Sequence, residues 1–299
     1  MRQLIRQALT LSIFLSLVAC AAIDGGPGQI STLSGRYKGM ELATPEGVDA
    51  CRQRLTERKP AAVAELDSSA ISVLSWNIKK GELSGWTRDL RKLASNKQLI
   101  LLQEAASSMQ LSTVLTVTSF RSFAPGHVTA RDITGVVTFS QIEPLANCRL
   151  LAMEPWLGTP KATNITQYAL SNTDKTLVVV NIHAINFSFG LKHYRAQLEA
   201  IVEVLAAHEG PIIFSGDFNT WRRGRQKVLS ELMVSLDLKP IQFKEDHRVR
   251  FLGLALDHVF VGGLKVMATH THAVQSSDHN PISLTLRMET CRTSYQQSC

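Results

Sequence analysis

Cysteine is scarce in this chain, charge is modest, and repeats and low-complexity tracts are absent. Five cysteines occur in 299 residues, and none has the C-x-x-C spacing of a structural zinc site. Charged residues make up 19% and hydrophobic residues 44%, a balance that argues against wholesale disorder. The one strongly apolar run near the N-terminus, Ala8–Val18, is too short for a comfortable membrane span. What remains is a globular chain long enough for one large α/β domain or two small ones. The formal charge is +7; Arg2 and Arg6 carry two of those charges, so five remain beyond the first nineteen residues. Mild basicity suits a phosphate-bearing substrate or an anionic membrane surface.

The N-terminus reads as an address. A short basic segment, Met1–Gln7, precedes the apolar run, and Leu17-Val18-Ala19-Cys20 follows. That tetrapeptide resembles a bacterial lipobox. The resemblance implies a signal peptide over 1–19 and a lipid-modified Cys20, and Ala21 in place of an aspartate implies the outer membrane. The expected location is therefore the bacterial cell envelope, as a periplasm-facing lipoprotein anchored to the membrane. Residues 20–69, with Gly25-Gly26-Pro27-Gly28, read as the lipidated cysteine and a tether. A helix is expected within it, from Asp49 towards Glu65 and interrupted at Pro60. Four cysteines remain: Cys51, Cys148, Cys291 and Cys299. They permit two disulfides by any of three pairings in an oxidising compartment. Cys291 and Cys299 lie in a polar tail, 289–299, and a free buried thiol is the plain reading of Cys148.

The domain proper is expected over 70–288. Apolar runs predict strands at Ile71–Ile78, Leu99–Glu104, Ser119–Phe123, Gly135–Phe139, Asn164–Leu170, Leu177–His183, Pro211–Ser215, Leu254–Val261 and Ile282–Leu286. Helical spacing predicts helices over Trp86–Ser95, Lys192–Ala207 and Gln226–Ser235. Leu264–Ala273 is expected to pair with Leu254–Val261 in a hairpin across Gly262-Gly263. Strands outnumber helices, and hairpin links mix with helical crossovers. That pattern argues for two packed sheets with helices outside rather than one doubly wound sheet.

Polar residues gather where these strands end. Gly216-Asp217-Phe218-Asn219 closes a buried strand; such a sequence is ordinary turn chemistry alone, yet it places a carboxylate and a carboxamide at a sheet rim. Asn77, Glu104, His183, Asp257, Asp278 and His279 stand at other strand ends. Glu104, Asn77 and Asp278 would make the oxygen-rich setting that Mg²⁺ or Mn²⁺ prefers. His279 is a donor whose charge changes near neutral pH.

In order, Trp76-Asn77-Ile78, Gln103-Glu104, Asn181-Ile182-His183, Gly216-Asp217-Phe218-Asn219, Leu256-Asp257-His258 and Ser277-Asp278-His279-Asn280-Pro281 resemble the successive motifs of the endonuclease/exonuclease/phosphatase superfamily. The resemblance covers about Ser72 to Leu286. It implies a four-layer α/β sandwich, DNase I-like, and a metal-dependent phosphoesterase. It also implies roles. Glu104 would bind the divalent metal, Mg²⁺ or Mn²⁺, with Asn77 beside it and Asp278 assisting. Asp217 would deprotonate the attacking water, Asn219 would hold a phosphate oxygen, and His279, oriented by Asp257, would bind the phosphate. His183 would stand near the leaving group, and Asn186 would contact phosphate.

Arg222, Arg223 and Arg225 follow the catalytic loop, and Arg248 and Arg250 lie before Asp257; if they ring the cleft they suit a polyanionic substrate, with Arg222 and Arg223 as the substrate-binding candidates. Phe187 and Phe189 would stack on bases, dip into lipid or pack under the next helix. His270 and His272 alternate on a strand; an ordinary exposed face is the expectation there rather than a second metal site. The leading expectation is a monomeric hydrolase of phosphodiesters in nucleic acid. The rivals are a phospholipid or inositol-phosphate headgroup phosphoesterase of the same superfamily, and a non-enzymatic binding module on the cell surface.

Overall fold

The computed structural model describes residues 46–57, 63–115, 118, 120–130 and 132–289. The signal segment, Cys20, Cys291 and Cys299 lie outside the described residues. From the N-terminal side the elements are α1 (Val48–Thr56), β1 (Ile71–Asn77), α2 (Trp86–Ala94), β2 (Leu99–Ala106), α3 (Leu111–Val114), β3 (Phe120–Val128), β4 (Ile133–Ser140), β5 (Ala146–Met153), β6 (Pro160–Ala169) and β7 (Thr176–His183). There follow α4 (Lys192–Leu205), β8 (Ile212–Asp217), α5 (Arg223–Ser235), β9 (Lys239–Pro240), β10 (Arg250–Phe251), β11 (Leu254–Ala255), β12 (Asp257–Gly262), β13 (Leu264–Thr271) and β14 (Ile282–Met288).

Two mixed six-stranded sheets result, ordered β13-β14-β1-β2-β4-β3 and β5-β6-β7-β8-β12-β9. Each contains one parallel pair, β1 with β2 and β7 with β8. Parallel neighbours require a crossover, and α2 and α4 supply it. Period-2 burial explains the packing. Val73, Leu99, Leu101 and Leu284 of the first sheet meet Val179, Ile213 and Val259 of the second in one core. The alternate residues face outward. Leu74, Ile100 and Leu102 pack under α2 and α3, while Val178, Val180 and Phe214 pack under α1, α4 and α5. In α4, Tyr194, Leu198, Ile201 and Leu205 recur at helical spacing and are all buried. This is the expected four-layer sandwich.

Three local expectations change. The strand read as Leu254–Val261 is two, β11 and β12, separated at Leu256. The hairpin across Gly262-Gly263 does not form: β12 is already paired on both sides, with β8 and β9, so β13 crosses to the other sheet and pairs with β14. Cys148 is not a free thiol. It forms a disulfide with Cys51, with Cα atoms 5.5 Å apart, and so fastens α1 to β5. The helix expected inside the tether thus packs on the second sheet through Cys51 and Leu55. Among the described residues no helix is long and apolar enough to cross a membrane.

Candidate active site

The ends of β1, β2, β7 and β8, the start of β12 and the loop before β14 converge. The pairing register accounts for this. Asn77 is opposite Gln103, the residue before Glu104, and Asp217 is opposite both His183 and Asp257. The C-terminal end of each parallel pair therefore faces the same rim. Gly216 is required by its neighbour: a Cβ there would lie 2.0 Å from the Ile182 carbonyl oxygen. Glu104 and Asn219 both adopt left-handed backbone conformations, φ +50° in each case. Glu104 sits where β2 slips its register against β4. A bulge of this kind re-aims a side chain, and backbone strain of this kind clusters at functional sites.

Asp217 is the centre of the cluster. Its Oδ2 accepts a hydrogen bond from Asn77 Nδ2 at 3.1 Å and lies 3.6 Å from His183 Nε2 and 3.8 Å from His279 Nε2. Its Oδ1 accepts from the Asn219 backbone N–H at 2.9 Å. Burial, with the nearby charges of Asp257 and Glu104, outweighs His279 and this N–H and raises the carboxyl to about 6. Asp257 Oδ2 lies 2.8 Å from His279 Nδ1. Burial acts to lower the His279 imidazole, but Asp257 and Asp217 outweigh it and raise the group to about 10. His279 is thus an imidazolium at neutral pH. Its loop is fixed by Trp76 Nε1, which donates to the His279 carbonyl at 3.0 Å, and by Ser277 Oγ, which donates to the Asn77 carbonyl at 2.6 Å.

His183 behaves oppositely. Burial first, then the charges of Lys161, His279 and Lys80, hold it well below its ordinary value. The neutral ring offers Nε2 to Lys161 Nζ, 3.1 Å away. Glu104 Oε1 lies 3.5 Å from Asn77 Nδ2 and 3.7 Å from His183 Nε2, and its Oε2 lies 3.8 Å from Lys80 Nζ. Asp278 is half exposed and pairs with Lys79 Nζ at 3.2 Å. Asn219 Nδ2 donates one hydrogen to the Ala184 carbonyl at 3.0 Å and keeps a second.

Hard oxygens on Glu104, Asn77 and Asp278 match the donor chemistry of a divalent metal such as Mg²⁺, and the left-handed backbone at Glu104 is a local adjustment that serves such placement. Asp217, Asp257 and His279 also offer three ligand atoms within 4.8 Å of one another. There the His279 imidazolium is a donor, not a ligand, so this trio suits a cation only when His279 is neutral.

The expected arginine ring is not observed as such. Arg225 is fully buried: it donates to the carbonyls of Ile185, Asn186 and Asn219 and to Ser188 Oγ, bracing the loops that carry Asn186 and Asn219. Arg222 bonds the Gly190 carbonyl and stacks on Trp221, and it has no hydrogen bond or ion pair with the cluster. Arg223 is exposed at the start of α5 and likewise makes none. Arg248 and Arg250 pair with Asp246, and Arg248 also holds the Asp257 carbonyl. Asn186 enters through its backbone, whose N–H donates to Glu154 Oε1 at 2.7 Å. His270 and His272 stand 6.3 Å apart, and no third metal-binding group joins them among the described residues.

Four contributors were not among the candidates read from the sequence. Lys80 follows Asn77 by three positions and was legible as a nearby charge. Lys161, Glu154 and the Gln103–Asn181 hydrogen bond of 2.7 Å between the sheets are visible only once strands are paired.

The chain belongs to the endonuclease/exonuclease/phosphatase family, whose model matches residues 74–279. Membership supports a phosphoester hydrolase, in a family that generally uses divalent metals. The chain is 36% identical over 252 residues to a UPF0294 protein of Vibrio campbellii, covering 81% of this chain and 86% of that one. Its fold is similar to an endonuclease/exonuclease/phosphatase from Beutenbergia cavernae, with TM-score 0.59 at 15% identity over 76% of this chain and 73% of that one. It is also similar to the human Nocturnin catalytic domain, solved with bound sulfate, with TM-score 0.57 at 16% identity over 76% and 97%.

Proposed function

We propose that this protein is a divalent-metal-dependent phosphodiesterase. The observation that carries the reading is the placement of Asp217. It is a buried carboxylate with a raised pKa, flanked by a neutral histidine, a histidinium and a carboxamide from separate strand ends. Asp217 takes a proton from water, whose oxygen attacks phosphorus in line with the departing alcohol. His279, held by Asp257, donates to a non-bridging oxygen, and the free amide hydrogen of Asn219 serves a second one. His183 and Lys161 stand as a coupled pair from which the leaving oxygen draws a proton. Glu104, Asn77 and Asp278 would hold the metal, Mg²⁺ by donor chemistry, which when bound supplies charge neutralisation at the phosphate.

Nucleic acid is the first substrate class, as a source of phosphodiesters. A lipid headgroup phosphodiester is the second reading, and one observation favours it: Arg222, Arg225, Arg248 and Arg250, which a polyanion would need, are engaged with carbonyls or with Asp246. The proposed setting is the cell envelope, with Cys20 as lipid anchor; the Cys51–Cys148 disulfide supports an oxidising compartment. The test offers the full chain an aryl phosphodiester, plasmid DNA, RNA and phospholipid with Mg²⁺, beside Asp217→Ala. Mg²⁺-dependent release by the parent alone supports the reading. Equal release by both sinks it.

A further inference from the structure

We infer that an apolar rim beside the catalytic cleft docks the domain on the surface of a lipid bilayer. Leu151, Met153, Trp156, Leu157, Phe187 and Phe189 are each between 36% and 70% exposed. They come from two separate segments, the end of β5 with its connection to β6, and the loop after β7. The Trp156 and Phe189 rings meet with centroids 3.9 Å apart. Leu157 and Phe187 line one cleft together with Lys80, His127, Lys161 and His183, so the rim borders the site itself. Exposed apolar side chains gathered on two segments, with a ring contact joining them, mark an interaction site.

The rim is held rigidly. Buried Glu154 accepts from the backbone N–H groups of Asn186 and Phe187, at 2.7 and 3.2 Å, and from the Thr159 hydroxyl. One carboxylate thereby ties the β5–β6 connection to the loop after β7. Arg225 fixes the same loop from beneath through the Ile185 and Asn186 carbonyls and Ser188 Oγ. The aromatic side chains are presented to solvent by a braced frame.

Three observations select a bilayer as the occupant. Leu157 and Phe187 share the cleft with Lys80 and Lys161, whose ammonium groups also face Glu104 and Glu154; basic groups beside apolar ones suit an anionic headgroup layer above acyl chains. Tryptophan and phenylalanine set at such a boundary are typical of interfacial anchoring. The described chain also begins beside the rim: Glu46 N–H donates to the Arg149 carbonyl at 2.9 Å, on edge strand β5, only four residues before Met153. That is about 13 Å along a strand. Glu46, 26 residues after Cys20 in sequence, is therefore held on the strand that carries part of the rim. With the rim in the headgroup layer, the cleft faces the phosphodiester of a lipid headgroup, a consequence that rests on the phosphodiesterase reading.

The test uses the full chain on vesicles of phosphatidylethanolamine and phosphatidylglycerol with brominated acyl chains, in EDTA, so that no turnover occurs. Comparison with Trp156→Phe isolates the Trp156 emission, whatever the N-terminus contributes to attachment. That emission is expected to be quenched at least about twofold, as for a ring at the acyl boundary. Met153→Ser/Phe189→Ser, at two exposed rim positions outside the cleft lining, is expected to weaken vesicle partition about tenfold and to leave aryl phosphodiester turnover unchanged. Unquenched Trp156 emission, or partition equal to the parent, overturns the inference. So does loss of single-stranded oligonucleotide binding in the double variant with vesicle partition intact, which would make the rim a platform for bases. Absence of aryl phosphodiester turnover in the parent counts against the hydrolase reading separately, because docking is measured without chemistry.

Discussion

Asn77 Nδ2 donates to Asp217 Oδ2 at 3.1 Å, joining strand ends that lie 140 residues apart in sequence and in different sheets. Together with the Gln103–Asn181 hydrogen bond and the Glu104–His183 contact, this bond ties the two sheets at the point where the chemistry is proposed. The cost of burying Asp217 as an anion is only partly offset by the groups around it, and this sets the first expectation.

Asp217→Asn is expected to lower turnover by about 10³-fold or more, because the carboxamide cannot take a proton from water. It is also expected to raise Tm. Burial raises the folded-state pKa from the ordinary 3.8 to about 6, so the parent loses stability as pH rises across that interval. The variant lacks that loss. Thermal melts of both proteins should therefore diverge between pH 4 and 6 and stay apart at neutral pH.

The pair Asp257–His279 governs the alkaline limb of the rate profile. Activity requires ionised Asp217 and protonated His279, so the rate should rise through about pH 6 and fall only near pH 10. Asp257→Asn removes a raising charge from both His279 and Asp217 and is expected to move both limbs to lower pH, the alkaline limb further because it also loses the Asp257–His279 hydrogen bond. An unmoved alkaline limb would mean that His279 is not the group being titrated.

Metal binding should be visible without turnover. Glu104 and Asp278 are carboxylates drawn towards Lys80 and Lys79, and a cation that replaces these contacts stabilises the folded state. At a Mg²⁺ concentration near a hundred times Kd the gain is about 2.7 kcal/mol. Differential scanning calorimetry should show a Mg²⁺-dependent rise in Tm for the parent and a much smaller one for Glu104→Gln.

The Cys51–Cys148 disulfide spans a sequence separation of 97. Its loss is expected to cost about 2–5 kcal/mol of unfolding free energy. Urea denaturation of Cys51→Ser/Cys148→Ser against the oxidised parent measures this. No change in midpoint would mean that the bridge does not constrain the unfolded chain.

Much of this arrangement was legible in the sequence. The apolar runs ending in Asn77, Glu104, His183 and Asp217 named the sheet rim because a strand with a polar terminus reads locally. The sheet to which Leu264–Thr271 belongs did not read locally, since both β12 and β14 fit its apolar pattern and only the occupied edges of β12 decide between them. The arginines misled for a related reason. A guanidinium next to a catalytic loop looks like a phosphate ligand, yet Arg225 points inward to carbonyls that turn away from regular pairing. Lys161 and Glu154 carry no signal of their own until β6 lies beside β7.

The most direct measurement is the rate at which the full chain releases product from an aryl phosphodiester, with and without Mg²⁺, for the parent and Asp217→Ala. Release that needs Mg²⁺ and falls by about 10³-fold in the variant is the expected result. Release that is insensitive to Mg²⁺ or unchanged by Asp217→Ala would contradict the assignment of this cluster as a phosphodiesterase active site.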